Sequence, residues 1–153
     1  MVPLLILVFP GCLIAAFAFT GYAFGSLGRV GLGAADRTVW LRSAAGLIAA
    51  VASLLYTWGL LYVVGAVVEA AEGGTESAPV VDCVTPGQEE RASTVVDYTV
   101  SYVPLGFVCE TYSGGSYTSD TVPDYVNPGV LVLALTAAGM ALTLRKYRPR
   151  STV

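Results

Sequence analysis

Few side chains in this sequence can do chemistry, and their types restrict what that chemistry can be. Histidine is absent, which removes Ser-His and Cys-His nucleophilic catalysis and histidine-ligated haem. Among the eleven Asp and Glu residues, Glu89–Glu90 and Asp120/Asp124 raise the question of paired carboxylates. Glycoside hydrolysis needs two carboxyl groups held at a set separation. Nothing in the spacing here fixes one, so these acids read as a solvated surface. The run Asp120-Thr-Val-Pro-Asp124 lacks the D-x-D-x-D-G order of a calcium loop. Gly28, Gly31 and Gly33 invite a comparison with phosphate loops. However, no Lys-Ser or Lys-Thr occurs, and no strand precedes them as a dinucleotide fingerprint demands. No catalytic residue, metal ligand or cofactor site is therefore assigned, and the chain is expected not to be an enzyme.

Cysteine and tyrosine remain. Cys83 and Cys109 share one acidic segment and are expected to form a disulfide; the alternative, a metal site, has neither further cysteine there nor any histidine. Closing a loop of this size adds about 3–4 kcal/mol in the chain-entropy model. Cys12 lies far off in an apolar run and reads as a small hydrophobe. Tyr98, Tyr102, Tyr112 and Tyr117 sit in a pattern of short strands. Such tyrosines form either the packed face of a small sheet or an exposed surface for a partner, since Tyr is enriched at binding hot spots.

The elements that must carry these residues follow from hydropathy. Hydrophobic residues make up 55% of the chain and charged residues 12%, about half the usual charged share. Residues 43–68 form a run of 26 without one charge. At about 1.5 Å per residue this is some 39 Å of helix, more than the roughly 30 Å apolar core of a bilayer. Residues 2–24 form a second uncharged run, with Pro10-Gly11 predicting a local kink. It has no basic residues before it and is long for a signal peptide, so a retained helix is expected. Residues 130–144 form a third. Asn127-Pro128 supplies a favoured N-cap and first helical residue for it. Between the second and third runs the composition turns polar. Val96, Tyr98, Val100 and Tyr102 alternate with polar residues as a strand does, and Pro104 ends, bulges or edges that strand. Residues 105–112 and 117–122 complete an antiparallel meander through a turn at Ser113-Gly-Gly-Ser116, with Tyr112 expected opposite Tyr117. Residues 80–84 are a candidate for a further short strand.

Charge is segregated along the chain. Ten of the eleven acids fall between Glu69 and Asp124, and seven of the eight bases flank the apolar runs. Arg29, Arg37 and Arg42 lie on the same side as Arg145, Lys146 and Arg148 if the chain crosses three times, and the positive-inside rule assigns that side to the cytoplasm. These bases are expected near lipid phosphates, with Trp40 in the aromatic belt. The N-terminus and the acidic segment then face outward, where oxidising conditions favour a disulfide. The expected organisation is a first transmembrane helix at 1–25, a Gly/Arg connector at 26–42, a second helix at 43–69, an acidic extracytoplasmic domain at 70–125, a third helix at 126–145 and a cytoplasmic tail at 146–153. No Asp, Glu, Lys or Arg lies inside the three uncharged runs, which argues against an ion pathway or transporter. Small-xxx-small patterns such as Gly46-xxx-Ala50, Gly21-xxx-Gly25 and Ala134-xxx-Ala138 permit close helix approach.

The stretch 103–110, VPLGFVCE, followed by VPDYVNP at 122–128 leading into a span, resembles small multi-pass membrane proteins of actinobacteria. The resemblance implies a bacterial source and carries over no functional residue. The fold class expected is therefore membrane all-α, three transmembrane helices with a small disulfide-tied antiparallel β domain between helices 2 and 3, at the cell membrane. The function expected is a non-enzymatic accessory or interaction subunit presenting its acidic outer domain to a protein or envelope partner. An extracytoplasmic ligand or envelope-stress sensor, or an immunity protein against a toxin, are the alternatives. The partners are the lipid bilayer and another membrane or envelope protein. No nucleic acid is expected, and a homo-oligomer is compatible with the sequence.

Overall fold

A computed structural model of the chain describes residues 2–31, 33, 35–72, 81–84 and 89–146. Among the described residues there are four α-helices and one sheet: α1 (Val2–Val30), α2 (Arg37–Glu72), a 3-10 turn (Val81–Cys83), α3 (Glu89–Ala92), β1 (Val95–Tyr102), β2 (Leu105–Thr111), β3 (Ser116–Thr118) and α4 (Val126–Lys146). Three of these helices, α1, α2 and α4, are long and apolar enough to cross a membrane. The expected short strand at 80–84 is instead the 3-10 turn, which places Cys83 for its disulfide. Arg148 and most of the expected tail lie outside the described residues, as does 73–80 of the linker.

The chain divides into two compact units. One comprises Met1–Val8 and Thr57–Asn127, the other Phe9–Tyr56 and Pro128–Val153. In the first, the sheet is a meander of order β1-β2-β3. Tyr102 pairs with Leu105 across the Val103-Pro104 connection, so Pro104 does end β1. The period-two pattern breaks at its start: the register shifts between Val95 and Asp97, a bulge that leaves Val96 exposed and turns Val95 inward. One additional residue exchanges the faces of a strand, and the alternation of valines cannot reveal it. The second hairpin pairs Cys109 with Tyr117 and Glu110 with Ser116. Tyr112 is therefore not opposite Tyr117; it sits in the turn, closed by Thr111 and Gly115. There Gly114 has φ of +79°, a conformation glycine adopts without a Cβ penalty.

The core of this unit joins sheet and helix. Leu60 and Val63 of α2, Leu105, Phe107 and Cys109 of β2, Cys83 and Val126 are fully buried. The uncharged run of α2 thus hides part of one face beneath β structure, so its greasiness serves a protein core as well as any lipid. Gly59 makes this possible. A Cβ there would stand 2.7 Å from Val126 Cγ1 and 2.8 Å from Leu105 Cδ2, too near for any other residue without repacking. Asn127, the expected N-cap, does something else. α4 already begins at Val126, and the Asn127 amide brackets Leu105, its Oδ1 accepting from the Leu105 N–H at 2.8 Å and its Nδ2 donating to the Leu105 carbonyl at 2.9 Å. Asn127→Ala should cost about 2 kcal/mol, because it orphans two buried backbone groups at once. A thermal melt of the detergent-purified chain measures this, and an unchanged midpoint would show that water substitutes for the clamp.

The second unit packs parts of α1, α2 and α4. Gly31, with φ of +80°, ends α1 by donating its N–H to the Leu27 carbonyl at 2.9 Å, the left-handed cap expected after a helix. Asp36 then caps α2, its carboxylate accepting from the Arg37 N–H and the Thr38 hydroxyl. α1 and α2 approach closely at Gly46, where a Cβ would lie 3.2 Å from both Ala23 Cβ and the Phe19 carbonyl oxygen. Just above, the buried Ser43 hydroxyl donates to the Ala23 carbonyl at 3.0 Å and lies 2.6 Å from the Ser26 hydroxyl. Of the small-xxx-small patterns, the one at Gly46 is used in this contact, whereas Gly21 faces open space. Around these contacts large apolar side chains point outward, among them Phe17 at 76% exposed and Leu135 at 63%.

Candidate functional site

The sheet unit carries the described residues with the most varied chemistry. Cys83 and Cys109 are disulfide-bonded, 26 residues apart in sequence, and both are fully buried. The bond ties the 3-10 turn to the central strand. Beside it the Tyr117 hydroxyl donates to the Cys83 carbonyl at 2.7 Å. Burial pushes the Tyr117 phenol up from its ordinary pKa, with Arg91 pulling weakly the other way. Tyr117 is thus a core residue. Tyr98 is half-buried and stacks on Phe107 with ring centroids 5.0 Å apart, and Tyr102 is likewise half-buried. Tyr112 alone of the four stands free, at 88% exposed. The four tyrosines do not form one surface, because the register sends Tyr117 inward and the turn sends Tyr112 out.

A different constellation lies along α2. Trp58, Leu61, Tyr62, Gly65, Ala66 and Glu69 recur at helical spacing and line a cleft of about 340 Å³, closed opposite by Asp82 and Thr121. Trp58 and Tyr62 meet edge to face, centroids 5.8 Å apart, and Trp58 Nε1 donates to the Tyr125 hydroxyl at 3.3 Å. Asp82 Oδ2 is buried and has no hydrogen-bond partner among the described residues. Burial, and secondarily the Glu69 carboxylate, raise the Asp82 carboxyl above its ordinary range. The acids singled out from sequence, Asp120 and Asp124, are exposed instead. Glu69 and Asp82 bound a polar linker with 12 residues between them, and no spacing rule links such positions. The chain matches no protein-family model, no curated protein and no solved structure. What the cleft can do must be read from its own atoms. It offers two carboxylates and aromatic edges but no nucleophile–base pair, and among the described residues no group of three or more His, Cys, Asp or Glu comes together.

The raised Asp82 carboxyl has a pH consequence. A group whose folded pKa lies above its unfolded value, about 3.9 for Asp, favours the folded state only when protonated. Stability is therefore lost as pH rises from about 4 through the folded value. Asp82→Asn removes that slope. The wild type should melt lower at pH 7 than at pH 4 relative to the variant, and parallel melting curves for the two proteins would refute the assignment.

The bases mark helix ends. Arg29 is in the last turn of α1, its Nε donating to the Gly25 carbonyl at 3.2 Å. Arg37 opens α2. Arg145 and Lys146 close α4, where cations favour the negative end of the helix dipole. Arg42, one turn into α2, is half-buried.

Proposed function

We propose that this chain is a non-enzymatic integral membrane protein that crosses the bilayer three times and presents its disulfide-tied sheet on the outer face to a protein or envelope partner. The observation that carries the reading is the outward display of large apolar side chains along three helices of 29, 36 and 21 residues. The shortest, α4, is about 31 Å long, matching an apolar bilayer core of roughly 30 Å. Along α2 the aromatic anchors repeat that distance: Trp40 and Trp58 are separated by 18 residues, about 27 Å of rise. Trp58 bonds to Tyr125 immediately before α4, so both belong at the outer interface, as an aromatic belt requires. In this reading the crossing part of α2 ends near Trp58, and the remaining turns to Glu72 rise out of the membrane beneath the sheet.

Arg29, Arg37, Arg42, Arg145 and Lys146 then face the cytoplasm, and the acids of the sheet unit face outward. The partner surface centres on the hairpin tip at Tyr112, an exposed aromatic on an acidic domain. Mild-detergent purification from its own host should recover a stoichiometric second protein, and Tyr112→Ala should lose it while leaving the sheet folded. Recovery of the chain alone, or a partner indifferent to Tyr112, would count against the proposal.

A further inference from the structure

In the second unit, three helices leave a groove of about 530 Å³ floored by small side chains, Ala45, Gly46 and Ala49 of α2 facing Ala138 and Ala141 of α4. A second cleft of about 340 Å³, reaching Ser53 and Tyr56, shares Phe19, Ala49 and Ala137 with it. The two make one apolar lane. From Arg42 to Tyr56 it follows 14 residues of α2, about 21 Å, longer than one leaflet of a roughly 30 Å apolar core. The lane is closed at one end by a charge. Arg42 lines it there, alongside Tyr22 and Leu144, and makes no hydrogen bond or ion pair among the described residues. No acid lines either cleft.

We propose that this lane holds one acidic phospholipid, its acyl chain along the alanine floor and its headgroup phosphate on Arg42. The inference rests on the membrane placement given above and goes beyond it, by naming a site and a headgroup charge. A free phosphate would make no use of the lane. A second copy of the chain fits less well, since a two-fold interface sets the same patch against itself and would bring two Arg42 guanidiniums together out of water. A lipid phosphate instead supplies the counter-charge, and its chain fills space that Ala and Gly leave open. Tyr22 stands at the same end and can donate to a phosphate or glycerol oxygen.

Native mass spectrometry of the full chain, released from mild detergent containing equal dioleoyl phosphatidylglycerol and dioleoyl phosphatidylcholine, tests this. One phosphatidylglycerol should be retained in preference, by roughly five-fold or more for a single cation–phosphate contact. Arg42→Gln should abolish the preference, and Ala138→Leu, which fills the lane, should remove the lipid altogether. Equal retention of the two lipids, retention indifferent to both variants, or a dimer that Ala138→Leu dissociates would each overturn the proposal. Release of the wild-type chain from membranes by alkaline carbonate would instead bring down the membrane placement itself, so the two failures are told apart.

Discussion

Phe107→Ala should be the most damaging single truncation in the protein, costing about 3–5 kcal/mol. Phe107 is fully buried at the middle of the central strand. It pairs with Val100 on β1, and its carbonyl accepts from the Ser119 N–H at 2.9 Å just beyond β3. Its ring stacks on Tyr98, inclined by 20°. Deleting it removes the transfer energy of the largest fully buried side chain and leaves a cavity that a disulfide-tied meander collapses into poorly. A domain is stable by only about 5–15 kcal/mol in total, so the loss approaches the whole margin. Limited proteolysis in detergent measures it: the sheet region should become cleavable while α1 and α4 stay protected. Phe107→Leu, which keeps most of the volume, should lie near the wild type, at a cost of about 1.5 kcal/mol or less. Equal resistance of the alanine variant and the wild type would mean that the sheet is not held by this residue.

The same residues show what the sequence discloses and what it hides. Long uncharged runs announce α1, α2 and α4 because nothing else accommodates them, and two cysteines in one acidic segment announce their bond. The meander is legible from alternation and from Pro104 and Gly114-Gly115. The faces are not. A one-residue bulge at Val96 and a hairpin that sets Tyr117 opposite Cys109, three residues before the expected Tyr112, decide which valine and which tyrosine go inward. Gly59 looks like an ordinary small residue in an apolar helix until Leu105 and Val126 are seen against it. Asn127 looks like a cap because caps are local. Its actual partner is 22 residues earlier in the chain, where a sequence window does not reach. Asp82 and Glu69 escape notice for the same reason: their proximity comes from the return of the chain at the 3-10 turn. Local periodicity fixes elements, whereas contacts between distant positions fix the cleft and the lane.

Removing the Cys83–Cys109 bond should cost about 3.5 kcal/mol, the chain-entropy value for a 26-residue separation. The loop it closes contains β1 entirely and most of β2, so the unfolded ensemble released by its loss is that of the sheet itself. Among the described residues Cys83 has one other tie to the sheet, the hydrogen bond its carbonyl accepts from Tyr117, worth about 1 kcal/mol. That bond alone cannot hold the turn. The Cys83→Ala/Cys109→Ala double variant, made in a Cys12→Ala background, should therefore lower the urea midpoint of the sheet strongly, while Tyr117→Phe lowers it slightly. Two alanines are the sharper test, since a single substitution leaves a buried unpaired thiol with effects of its own. The same background reports sidedness. With Cys12 gone, a membrane-impermeant maleimide applied to intact cells should label the chain only after reduction, and to the extent of two thiols. Labelling restricted to inverted vesicles would place the acidic sheet with the arginines, and the outward assignment of the domain and of its Tyr112 surface would fall together. A large loss of stability with correct outward labelling leaves a single account: the bond is made after the sheet has been carried across, and it holds in place a domain whose small core, built on Phe107, is marginal without it.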